Sequence, residues 1–228
     1  ANEHREENTM MRTMKSVLAV VGMAVAVSAG AFAAQTCPAT GGPCCMAPDE
    51  GWITLFDGSN LDQWQNARNP EAENKWFIED GCMTNKEHAN NIGTKESFKN
   101  FDLKLEYKIV AKGNSGVYLR GRVEVQILDS HGKEHPGKGD DGAIYDKFVP
   151  LVNASNQAGE WNTLVLTYKD DVLTAKLNGN VIHDKQQIGE VTGGALPGGV
   201  NEAGPVMLQG DHGKIWFRNI MIRPCKAQ

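Results

Sequence analysis

From residue 101 to residue 109 the chain runs Phe-Asp-Leu-Lys-Leu-Glu-Tyr-Lys-Ile, apolar at odd positions and charged at even ones. Successive side chains of an extended strand point to opposite faces, so this alternation predicts a strand with one face in a core and the other toward solvent. Residues 161–168 and 172–177 are further predicted strands. Asn178-Gly179 and His212-Gly213 carry hairpin-turn chemistry. No segment shows a sustained run at helical spacing. Glycine supplies 25 of 228 residues, above the usual share of about 7%, which suits a fold with many turns. The pattern predicts an all-β antiparallel sandwich.

Residues 114–129, Asn-Ser-Gly-Val-Tyr-Leu-Arg-Gly-Arg-Val-Glu-Val-Gln-Ile-Leu-Asp, carry the most chemistry. Val123, Val125 and Ile127 alternate with Arg122, Glu124 and Gln126, so an apolar face backs a row of long polar groups able to grip a polyhydroxy ligand. A strand that only meets water tends toward Lys, Thr and Ser, so Arg-x-Glu-x-Gln favours a site over solvated decoration. If His212-Gly213 closes a two-residue loop, Gln209 faces Trp216 and Met207 faces Arg218. Gln209, Trp216 and Arg218 then share a face suited to stacking and hydrogen-bonding a sugar. The plainer alternative is a Trp packed under a loop beside a structural ion pair.

Composition narrows the function class. The net charge is −5 with no basic cluster, which disfavours nucleic acid and anionic lipid as partners. A start at Met10 or Met11 would place Arg12 and Lys15 ahead of an apolar run over residues 16–33 that closes on Ala31-Phe32-Ala33. That is the form of a cleaved secretory leader rather than a membrane anchor. The expected organisation is a leader with upstream residues over 1–33, a Cys/Gly/Pro-rich tether over 34–48 and one domain over 49–228. The expected location is periplasmic or extracellular, with no transmembrane segment in the mature chain. Gln35 and Thr36 ahead of Cys37 disfavour lipid attachment. Five cysteines in an exported chain suggest disulfides with at least one thiol left over, Cys225 tying down a neighbouring strand or the tether.

Two long connections follow from the strand assignment. Residues 129–150 hold His131, His135, Asp140, Asp141 and Tyr145, and loops of this length are uncommon unless functional. Residues 192–204 are Gly-rich and of a length that suits a lid or rim, with Glu202 their one ionisable group. His131 and His135 with Asp129, Glu134, Asp140 and Asp141 are candidate ligands for a divalent metal ion, His131 and Asp129 foremost, although the surrounding Gly132, Pro136 and Gly137 favour solvated loop residues. A bulge near Leu128 would bring Glu124 and Asp129 to one face. That motif is similar to the E-x-D-x-x-E strand of laminarinase-like glycosidases. Gln126 replaces the middle acid and Asp129 the last, which argues against a retaining double displacement.

The chain resembles the 3-keto-disaccharide hydrolase family. The resemblance rests on Gly51-Trp-Ile-Thr-Leu-Phe-Asp-Gly58 with Trp64, Trp76-Phe-Ile-Glu-Asp-Gly81, Phe101-Asp-Leu-Lys-Leu-Glu-Tyr107, Gly113-Asn-Ser-Gly-Val-Tyr-Leu-Arg120 and Glu124-Val-Gln-Ile-Leu-Asp129. It continues through Gly142-Ala-Ile-Tyr145, Gly159-Glu-Trp-Asn162, Leu177-Asn-Gly179, Leu208-Gln209 and Phe217-Arg-Asn-Ile220. It implies an all-β concanavalin A-like jelly-roll sandwich of two antiparallel sheets, and action on small-molecule glycosides or oligosaccharides already oxidised to a ketone at C3. Such a ketone acidifies the C2–H, so a base can remove that proton, the C1 substituent leaves and water adds back. The expected catalytic set is Glu124 as base, Arg120 or Gln126 on the keto oxygen, and Asp129 or His131 as acid or metal ligand. Asn114, Arg122, Tyr145, Gln209, Trp216 and Arg218 are the expected sugar contacts. The alternative is a non-catalytic lectin-like carbohydrate-binding module on the same sandwich.

Overall fold

The computed structural model describes residues 50–225. The predicted leader and tether, with Cys37, Cys44 and Cys45, lie outside the described residues. In chain order the strands are β1 (Ile53–Phe56), β2 (Trp64–Asn66), β3 (Trp76–Glu79), β4 (Cys82–Asn85), β5 (Ile92–Thr94), β6 (Phe101–Ile109) and β7 (Asn114–Leu119). They continue with β8 (Val123–Leu128), β9 (Trp161–Lys169), β10 (Val172–Leu177), β11 (Asn180–Gln187), β12 (Met207–Leu208) and β13 (Ile215–Pro224). Among the described residues there is no helix, and so none long and apolar enough to cross a membrane.

The strands form two antiparallel sheets. One runs β11-β10-β9-β6-β13-β4-β3, with β1 also on β13; the other runs β2-β5-β12-β7-β8. The alternation of β6 puts Leu103, Leu105 and Tyr107 into the core with Leu164 and Leu166 of β9 and Phe217 and Ile220 of β13. The second sheet supplies Ile92, Val117, Leu119, Val123, Val125 and Ile127. Each side chain of this kind contributes about 1.5–3 kcal/mol on burial, so the core fixes the register of the whole sandwich. In the β7–β8 pair Val117 faces Val125 and Leu119 faces Val123. Gly116–Gln126 and Tyr118–Glu124 are therefore pairs on the face turned away from the core. A one-residue slip would drive Glu124 into the apolar interior.

Asn178 and Gly179 both have positive φ, 50° and 82°, and join β10 to β11 as the turn chemistry requires. His212-Gly213 is a different case, and the predicted last hairpin is corrected. Neither residue has the positive φ that a two-residue hairpin turn needs. β12 pairs with β5 and β7 in one sheet, whereas β13 pairs with β6, β4 and β1 in the other. The segment is a crossing between sheets, so Gln209 and Trp216 lie on opposite sides of the sandwich.

The open edge of β8 is covered by residues 142–145. Gly142 N–H donates to Gln126 O (2.8 Å), Gln126 N–H to Ala143 O (2.9 Å) and Tyr145 N–H to Glu124 O (3.1 Å). Buried Asp141 anchors this return, accepting from the Tyr107 hydroxyl (2.7 Å) and the Leu128 N–H (3.2 Å). Burial pushes the Asp141 carboxyl up to about 7 against the opposing pull of the Tyr107 bond. Cys225 is engaged in a disulfide and Cys82 is a free thiol.

Candidate active site

The outward face of the five-stranded sheet is roofed by its own connections, which turn a solvated surface into a cavity of about 330 Å³. Five residues singled out in the sequence line it together: Asn114, Glu124, Gln126, Tyr145 and Gln209. Tyr118, Arg68, Asn91, Gly193, Gly194, Asp211 and His212 complete the wall.

Glu124 is the centre of the site. It is only 2% exposed, and its Oε2 accepts a 2.8 Å hydrogen bond from the Tyr118 hydroxyl. Burial pushes its carboxyl up to about 7; the Tyr118 bond and nearby His212 pull it down, and Asp211 pushes it up. Loss of water around an ionised carboxylate is the physical cause, since the charged form loses more solvation than the neutral one. Its direct partner across the strand pair is Tyr118, and Gly116 sits beside it on the same face. A Cβ at Gly116, one diagonal away, would fall on Glu124 Oε1 and lie 3.0 Å from its Cδ and Cγ.

Three amide oxygens are buried without a hydrogen-bond partner among the described residues: Asn114 Oδ1, Gln126 Oε1 and Gln209 Oε1. All three belong to residues of this cavity. Gln126 is oriented by its Nε2, which donates to Gly139 O (3.3 Å). Unpaired buried acceptors are unfavourable by about 1–3 kcal/mol each, and groups left this way at a cavity wall are ready to accept from ligand hydroxyls. At the rim His212 Nδ1 lies 2.6 Å from Asp211 Oδ1, and the Arg68 guanidinium donates to Gly194 O (2.7 Å).

Other expected site residues are placed elsewhere. Arg120 and Gly121 have φ of 54° and 66° and form the β7–β8 turn, closed by Arg122 N–H donating to Leu119 O (3.0 Å). That turn carries the Arg120 side chain away from Glu124 into a buried knot with Asp171 (2.7 Å), Val200 O (2.8 Å) and the ring of Tyr168. Arg122 keeps the strand phase but is consumed in pinning the Gly-rich loop through Pro197 O (2.9 Å), Glu202 O and Ala203 O (both 3.2 Å).

Asp129 lies beyond the end of β8, and the β7–β8 register is unbroken, so the expected bulge is absent. Its Oδ2 instead accepts from Lys112 N–H (2.8 Å). Exposed His131 is held 2.7 Å from Ser155 O. Asp129 and His131 do not converge, and among the described residues no cluster of three or more His, Cys, Asp or Glu side chains could hold a metal ion.

Trp216 and Arg218 project from the outer face of the eight-stranded sheet. Lys108 sits 4.8 Å from the Trp216 ring and 5.1 Å from the Trp161 ring, and Arg218 stacks 3.9 Å over Trp161. Trp216 Nε1 donates to Glu79 (2.9 Å) and Arg218 to Glu106 (2.7 Å). This is a cross-strand ladder of cations and rings that stabilises the sheet.

Sequence reading missed Arg68, Asn91 and Asp211 on this wall and, most consequentially, Tyr118. Its signal was available in β7, where Gly116 and Tyr118 alternate with Val117 and Leu119, but only the strand pairing reveals that it meets Glu124.

Two antiparallel sheets in this arrangement make the fold a concanavalin A-like jelly-roll sandwich. Bacillus licheniformis beta-glucanase shares this fold at 11% identity, with a TM-score of 0.50 over 78% of this chain and 100% of that one. Residues 51–223 match the model of the 3-keto-alpha-glucoside-1,2-lyase-like domain, and the chain belongs to that family. A 3-keto-disaccharide hydrolase of Bacteroides thetaiotaomicron is 28% identical over 76% of this chain and 78% of its own length. The crystal structure of a predicted glycosyl hydrolase of Parabacteroides distasonis is 32% identical, with a TM-score of 0.66 over 77% of this chain and 84% of that one. These similarities put the chain among glycoside-cleaving enzymes.

Proposed function

We propose that the protein is an exported bacterial enzyme that cleaves 3-keto-glycosides by elimination and rehydration. The observation that carries this reading is Glu124, a buried carboxyl pushed up to about 7 in a cavity lined by unpaired amide acceptors. A base of that strength is matched to proton abstraction near neutral pH. The other carboxylate of the wall, Asp211, is turned to His212 rather than positioned as a nucleophile. Arg12 and Lys15 ahead of the apolar run ending Ala31-Phe32-Ala33 support export.

Glu124 takes the proton from C2 of the oxidised sugar, and the electron pair forms C1=C2 as the C1–O bond breaks. Arg68, whose guanidinium is at the cavity wall, donates to the keto oxygen as negative charge develops there. His212, oriented by Asp211, protonates the departing oxygen. Water then adds across the double bond: its oxygen bonds C1 as His212 takes back a proton from it, and Glu124 returns its own proton to C2. Asn114, Gln126 and Gln209 accept from the remaining sugar hydroxyls, and Tyr145 lines the subsite beside them.

Incubated with an aryl 3-keto-glucoside, the protein is expected to release 3-keto-glucose and to leave the parent glucoside uncut. Binding of unoxidised glycans with no release from the oxidised substrate would make it a carbohydrate-binding module.

A further inference from the structure

We propose that Tyr118 is a positioning residue that couples the state of Glu124 to the Gly-rich loop, its single hydroxyl hydrogen turning from the ionised carboxylate to the Gly193 carbonyl once Glu124 holds a proton. This rests on the reading of Glu124 as the base and deepens it. Tyr118 Oη lies 2.8 Å from Glu124 Oε2 and 3.0 Å from Gly193 O. Both distances suit hydrogen bonds, yet a phenol has one hydrogen to donate.

The conflict resolves differently in the two states of Glu124. An ionised carboxylate only accepts, so it draws the phenol hydrogen and leaves Gly193 O without that donor. A protonated carboxyl donates to the Tyr118 oxygen, which frees the phenol hydrogen for Gly193 O. The neutral state therefore makes two bonds where the ionised state makes one. No proton passes to Tyr118, whose hydroxyl is held far above the usual phenol range chiefly by burial, with the Glu124 charge adding to it.

The loop is built to respond at this point. Thr192 N–H donates to Arg122 O (3.0 Å) and Leu196 N–H to Gly121 O (2.8 Å), so the segment is fixed on both sides of Gly193-Gly194. A Cβ at Gly194 would lie 2.5 Å from Tyr118 Oη, and its φ is +75°; the backbone approaches the phenol as closely as glycine permits. The charged and titratable groups facing Glu124 are Tyr118 from β7, Arg68 from the β2–β3 connection, Asp211 and His212 from the β12–β13 crossing, and Tyr145 from the β8–β9 connection. In the reaction the loop is held tightest while Glu124 carries the substrate proton and is released when it gives that proton back.

The test is amide hydrogen exchange of residues 192–196 in the full chain at pH 5.5 and 8.5, corrected for intrinsic rates. Wild type is expected to be protected several-fold more at pH 5.5. Tyr118→Phe should show the weaker protection at both pH values. Glu124→Gln, whose amide donates to the phenol at any pH, should show the stronger protection at both. In Tyr118→Phe the acid limb of kcat/KM should also move up by about one pH unit, because the ionised carboxylate has lost a donor. Wild-type pH dependence of exchange in Tyr118→Phe, or a pH-dependent loop in Glu124→Gln, would overturn the coupling. If Glu124 is not the base, Glu124→Gln keeps its turnover while the exchange pattern stands, so the two failures are separable.

Discussion

Glu124→Gln is expected to lower cleavage of an aryl 3-keto-glucoside by about 10³-fold or more, within the range for removal of a general base, and to make the protein more stable at alkaline pH. The second effect follows from the first residue property. The folded carboxyl sits near 7, above its unfolded value of 4.5, so the native state binds more protons between those limits. Stability therefore declines as pH rises from about 4.5 to about 7 and is flat above. A shift of this size corresponds to about 3 kcal/mol. Asp141 is pushed the same way by its own burial, so wild type loses stability through both groups and the variant through one. Denaturant unfolding should show the two proteins nearly equal at pH 4 and the variant ahead by about 3 kcal/mol at pH 8. Equal stability at both pH values would mean that Glu124 is solvated as an ordinary surface carboxylate.

Gly116→Ala carries the next largest effect. The backbone there is ordinary strand, so alanine folds without conformational penalty, but its methyl occupies the place of Glu124 Oε1. The carboxylate must swing away from both Tyr118 and the substrate. Displacing a reacting group by about 1 Å can lower turnover by about 10²-fold, and overpacking of this kind destabilises by about 1–3 kcal/mol. The variant should bind sugar, remain folded and turn over slowly. Turnover at the wild-type rate would show that Glu124 has no fixed position to lose.

How much of this was readable before the fold was known depends on which residues set each feature. β6 matches its predicted span because strict alternation over nine residues leaves one way to bury the apolar face, and β10 does so through Leu173, Ala175 and Leu177. Glu124 and Gln126 were placed on one polar face for the same reason. The errors arise where local signals meet long-range pairing. Arg120 looked like part of the polar strand, yet Arg120-Gly121 is itself the turn. His212-Gly213 has hairpin composition, but β12 is only two residues long and its partners, β5 and β7, come from distant sequence. Composition near a turn does not say whether the chain folds back or crosses to the other sheet. Tyr118 went unnoticed and Asp141 was noted only as a polar residue of the long connection, because each gains its role from a partner that only the tertiary fold brings within reach.

The most direct measurement of the central claim is single-turnover cleavage of an aryl 3-keto-glucoside carrying deuterium at C2, beside the protiated substrate. Elimination initiated by Glu124 breaks the C2–H bond, so the deuterated substrate should be cleaved more slowly, with a normal primary isotope effect. Equal rates, with cleavage chemistry limiting, would contradict the account and point to direct displacement at C1.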